Sequence, residues 1–97
     1  MIMKHTLKDA EFLVFFLRKT VSESVELIGS FGKGATESDH DIDVYIPGIK
    51  RKWRTGQWLA TLLEAKSHGP TDWGGIFFKD TFFGNVDVFF SKEGFDK

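Results

Sequence analysis

Apolar and polar positions follow two periods along this chain, and each change of period marks an element. Between Leu7 and Thr20, the apolar Ala10, Leu13, Val14 and Leu17 recur at helical spacing, continued by Val21, while Lys8, Glu11, Arg18 and Lys19 supply a polar side. Thr6 stands as a cap with Asp9 in the first turn, so the pattern predicts a helix over 7–20. Phe12, Phe15 and Phe16 widen its apolar face. The period then drops to two. Val25-Glu26-Leu27-Ile28 and Ile42-Asp43-Val44-Tyr45-Ile46 read as strands, the second ended by Pro47-Gly48. Lys50-Arg51-Lys52-Trp53-Arg54 opens a second helix running to about Lys66, with Trp58, Leu59, Leu62 and Leu63 as its buried side. His68-Gly69-Pro70 closes that helix, and Thr71 to Gly75 forms a loop before an aromatic strand near Ile76 to Lys79. Asp80 to Gly84 is a turn into a last strand, Val86-Asp87-Val88-Phe89-Phe90. The order α, β, β, α, β, β, with a short helical turn in the spacer between the first two strands, predicts an α/β fold: a small mixed sheet of about four strands with helices mainly on one face.

Composition narrows the function classes. Ninety-seven residues make one domain, 1–97, with a core of its own and no room for a separate acceptor-binding domain. A net charge of −1 gives no general drive toward nucleic acid or an anionic membrane. The chain has no cysteine, which excludes disulfides and thiolate metal sites. Phe12 to Leu17 is far shorter than a membrane span, so a soluble cytoplasmic protein is expected. The eleven phenylalanines are many for so small a domain. Phe77, Phe78, Phe82, Phe83, Phe89 and Phe90 are either covered by the helices or left as a homodimer or partner surface. The basic run Lys50 to Arg54 opposes a helix dipole and is either a solvated turn or a contact for an anion.

The chemistry concentrates between the first two strands. Asp41 and Asp43 project from the same side of a strand, and two carboxylates at roughly 4 Å repel by about 1 kcal/mol in water and about 4 at intermediate dielectric. A hard cation relieves that repulsion, and magnesium is usually held by one or two carboxylates plus substrate phosphates. The preceding turn suits those phosphates. Gly29 and Gly34 allow backbone amides to approach an anion, Ser30 offers a hydroxyl, and Lys33 adds positive charge. Asp87 is the lone acid on its strand and joins the site if that strand lies nearby. Glu37, Asp39 and His40 lie in the spacer as further candidates, His40 more simply as a solvent-facing loop residue.

Gly29-Ser30, ten residues, then Asp41-Ile42-Asp43 resembles the signature of the DNA polymerase beta-like nucleotidyltransferases, above all their minimal nucleotidyltransferase (MNT) domains. Lys33 and Gly34 match the family's spacer, whereas Phe31 stands where a basic residue is common and His40 where serine is common. Asp87 corresponds to the family's third carboxylate, and Ser91-Lys92-Glu93-Gly94-Phe95 resembles the tail of such domains. The resemblance implies a palm-like core. It also implies transfer of a nucleoside monophosphate, AMP from ATP, with Asp41, Asp43 and Asp87 holding two magnesium ions and Gly29, Ser30, Lys33 and Gly34 binding phosphate. Stand-alone MNT domains resemble antitoxins that modify a tyrosine of a HEPN-type partner toxin, which makes such a protein the expected acceptor. The alternatives are transfer to a small molecule, or a catalytically vestigial module that blocks a partner.

Overall fold

The computed structural model describes residues 4–91, so the expected tail from Lys92 onward lies outside the described residues. In chain order the elements are β1 (His5–Thr6), α1 (Leu7–Thr20), β2 (Glu26–Ile28), α2 (Gly29–Gly32), β3 (Glu37–Ser38), β4 (Ile42–Tyr45), α3 (Lys52–Leu62), β5 (Ser67–Pro70), β6 (Ile76–Thr81) and β7 (Gly84–Phe89). The described residues form a small α/β fold with three helices, a five-stranded mixed sheet and a separate two-stranded one.

The large sheet has the order β2-β4-β7-β6-β5. Only β4 and β7 run parallel, because the chain between them crosses over through α3 before returning by the β5-β6 and β6-β7 antiparallel pairs. Period-two alternation sends Ile42, Val44, Val86, Val88, Ile76 and Phe78 to one face. There they meet Ala10, Leu13, Val14 and Leu17 of α1, and Leu59, Ala60 and Leu63 at α3, in a single apolar core. Both long helices therefore cover one face, and the other carries the acids.

Helix α1 spans the expected residues, and Thr6 caps it by accepting a hydrogen bond from the Asp9 amide at 3.2 Å. Its buried stripe is narrower than predicted: Phe12 and Phe15 are exposed and Phe16 is half-buried, because positions 10, 13, 14 and 17 already fill the contact with the sheet. Helix α3 ends at Leu62 rather than near Lys66. It turns Gly56, Leu59 and Ala60 inward and leaves Trp58 exposed, since Gly56 sits directly on the Ile76 side chain and brings the helix in on that face.

The four-strand expectation missed β5. Residues 67–70 do not cap a helix but pair with β6, from Ser67 opposite Lys79 to Pro70 opposite Ile76. The expected turn at 80–84 is tighter, with Thr81 already opposite Gly84. The pair β1-β3 ties the start of α1 to the spacer, and buried His5 accepts a hydrogen bond at Nε2 from the Asn85 amide at 3.0 Å. Of the crowded phenylalanines, Phe78, Phe89 and Phe90 are buried, Phe77 and Phe83 half-buried, and Phe82 exposed. No helix among the described residues is long and apolar enough to cross a membrane.

Candidate active site

Parallel pairing of β4 with β7 sets Asp43 directly opposite Asp87. Antiparallel neighbours extend this row, with Ile28 of β2 opposite Asp43 and Phe77 of β6 opposite Asp87. Two carboxylates thus stand side by side between two apolar side chains. Asp41 lies one strand repeat before Asp43 on the same face, beside the position where Ile42 pairs with Val86. Lys79 follows Phe78, which also pairs with Val86, so its side chain reaches across β7 to Asp41.

The electrostatics follow from that row. Burial beside apolar neighbours, then the charges of Asp87 and Asp41, push the Asp43 carboxyl up from 3.8 to about 7. Asp87 rises to about 6, first through burial and then through the charge of Asp41, and the Lys79 ammonium partly offsets the rise. Lys79 Nζ stands 3.1 Å from Asp41 Oδ2 and 5.7 Å from the centre of the Phe77 ring. The ion pair is partly open to water, so it contributes little stability, about 1 kcal/mol or less. Its effect is local: one of the three acids already has a cation.

Above the acids, α2 is a single turn that begins at Gly29 with φ +70°, a conformation that favours glycine. A Cβ at Gly29 would collide with Asp43 Oδ2, so the turn lies directly on the carboxylate. Phe31 joins the hydrophobic core and pins the turn from below, which accounts for an apolar residue at this position. Gly29, Ser30, Lys33, Asp39, His40, Asp41, Asp43, Trp73, Asp87 and Phe89 line one open cleft of about 540 Å³.

Six of the seven residues given metal- or phosphate-binding roles in the sequence therefore meet around one cleft: Asp41, Asp43, Asp87, Gly29, Ser30 and Lys33. Gly34 does not line it; with φ +103° it turns the chain away from α2. Asp39 and His40 do line it, whereas Glu37 pairs with Thr6 in β3. Sequence reasoning missed Lys79 and Trp73. Lys79 was within reach, because alternation from buried Phe78 puts it on the acid face. Nothing in Thr71-Asp72-Trp73-Gly74-Gly75 locates Trp73 over the site until the order of the strands is known.

Among the described residues, no three acids or histidines are already gathered as a metal-holding group; Asp41 meets Lys79 as well as Asp87. The donor set still fits a hard cation. It consists of carboxylate oxygens, those of Asp43 and Asp87 raised by burial and by neighbouring acids, beside an anion-accommodating turn. A cation here competes with Lys79 for Asp41 Oδ2. Comparison of the chain with family models, curated proteins and solved structures returned no match.

Proposed function

We propose that this domain is a metal-dependent nucleotidyltransferase, built on a palm-like core of the polymerase beta type, that transfers AMP from ATP to a hydroxyl group. The observation that carries this reading is the placement of Asp43 opposite Asp87, with Asp41 one repeat away and the Gly29 turn lying on Asp43. A domain without a cation or phosphate to bind gains nothing from such a cluster, since burial and neighbouring charge hold the Asp43 and Asp87 carboxyls well above their usual range.

Asp41, Asp43 and Asp87 would hold magnesium, one ion or two, which when bound supplies charge stabilisation to the triphosphate and to the departing pyrophosphate. The chain's own residues do the rest. Ser30 and the amides around Gly29 bind the terminal phosphates, with Lys33 adding charge at the rim. The acceptor oxygen attacks the α-phosphorus, a new P–O bond forms, and the bond to the β-phosphate bridge breaks to release pyrophosphate. Asp87, the acid on the strand beside Asp43, takes the acceptor's proton. Positioning and charge account for most of the rate in such transfers.

The acceptor we favour is a tyrosine of a HEPN-type partner protein, with this domain acting as its antitoxin. The openness of the cleft supports a macromolecular acceptor, because the acids can be approached from solvent. The test is co-expression with such a partner and incubation with magnesium and ATP labelled at the α-phosphate. Label on a partner tyrosine that is lost in Asp41→Asn/Asp43→Asn establishes the reading. Label confined to small molecules moves the acceptor to that class, and no label in any fraction leaves a module that only binds.

A further inference from the structure

We propose that Trp73, backed by Phe89, is the platform on which the base of the nucleotide donor stacks. The proposal rests on the nucleotidyl-transfer reading and adds to it the part of the site that holds the base, to which the sequence assigned no residue.

Trp73 is half-exposed, yet its ring is held parallel to Phe89, with centroids 5.5 Å apart and planes 12° from coplanar. Phe89 lies two residues beyond Asp87 on β7, opposite Tyr45. It therefore sits on the acid face, one strand repeat of about 7 Å from Asp87 and its neighbour Asp43. That spacing leaves room for a ribose between a phosphate at the acids and a base at the rings. The same cleft touches the acids, Ser30 and both rings, and its 540 Å³ falls in the range of small-molecule sites.

The loop that carries Trp73 is built to hold it in place. The Thr71 amide donates to the Gly75 carbonyl at 3.0 Å, the Gly75 amide donates to Thr71 Oγ1 at 2.8 Å, and the Gly74 amide donates to the Thr71 carbonyl at 3.3 Å. Gly74 takes φ +84°, and Gly75 packs so closely on the Val88 carbonyl that a Cβ would not fit. The loop is thus closed on itself and seated on β7. A bland reading has Trp73 serving only as a cover for Phe89. That reading predicts a change in stability alone, whereas a platform predicts a loss specific to ligands that carry a base.

Calorimetric titration of the full chain with magnesium-ATP and with magnesium-tripolyphosphate separates the two. Stacking on an aromatic ring is tolerant of which base is present, so Trp73→Ala should weaken ATP binding by about tenfold and GTP binding by a similar factor. Trp73→Phe should stay within about threefold of wild type, because a flat ring remains. Tripolyphosphate, which has no base, should bind all three proteins alike. Equal ATP affinity in wild type and Trp73→Ala, with tripolyphosphate still bound, overturns the platform and leaves the nucleotidyl-transfer reading standing. Equal weakening of both ligands also overturns it, by showing a general disturbance of the cleft. If neither ligand binds wild type, both readings fall.

Discussion

Asp43 is the residue at which packing and charge conflict most. Its carboxyl is raised to about 7 and that of Asp87 to about 6, both above the ordinary 3.8. The folded state therefore prefers the protonated forms: their contribution is fully present below about pH 4 and is lost as the pH rises through about 6 and 7. Taken whole, the Asp43 shift is worth about 4 kcal/mol, and water at the half-buried carboxylate reduces that to about 1–2 kcal/mol. Asp43→Asn should accordingly gain that much over wild type between pH 4 and pH 8 without added metal, read as the difference in urea midpoints. At Gly29 the direction is opposite. Gly29→Ala forces a side chain into φ +70° and onto Asp43, so it should cost more than about 1 kcal/mol and displace the carboxylate. Lys79→Met removes the cation that competes for Asp41, and manganese affinity followed by electron paramagnetic resonance should rise by about threefold to tenfold. Unchanged affinity would show that Lys79 does not compete.

At the scale of elements, the chain's own patterns account for α1, β4 and the central part of β7. Thr6, the stripe at 10, 13, 14 and 17, and the alternation at 42–45 and 86–89 each carry a local signal that packing then uses. Strand β5 carries none. Ser67-His68-Gly69-Pro70 is poor strand material, and pairing with β6 imposes its conformation, with Gly69 beneath the Phe77 ring and Pro70 at the strand end on the sheet edge, where a missing donor is tolerated. Contacts likewise decided Trp58 and Gly56, because the close approach at Ile76 outweighs the larger apolar surface of tryptophan. The site divides in the same way. Asp41, Asp43 and the Gly29 turn are contiguous and legible, while Lys79 and Trp73 enter only through strand order. Helix α1 supports the sheet from the face opposite the acids, so Leu17→Ala should cost about 2–5 kcal/mol in urea denaturation. It should leave the cleft's ligand affinity unchanged, since Leu17 lies on the far side of the sheet.

Across the described residues, one face of the sheet forms the core and the other presents acids under an open cleft, so the packed core and the candidate site lie on opposite sides. The exposed Phe12, Phe15 and Phe82 lie apart from the residues that line this cleft. Such a division lets a domain this small tolerate a cluster of mutually repelling carboxyls, because the core is packed on the opposite face of the sheet. A ligand that prefers the folded state must raise its stability. The measurement that tests this most directly is thermal melting at pH 8 with magnesium, with ATP, and with both, for wild type and for Asp41→Asn/Asp43→Asn. Wild type should melt at a higher temperature with both together, and the variant should show no such rise. An unchanged wild-type melting temperature at millimolar magnesium and ATP, or an equal rise in the variant, would contradict it.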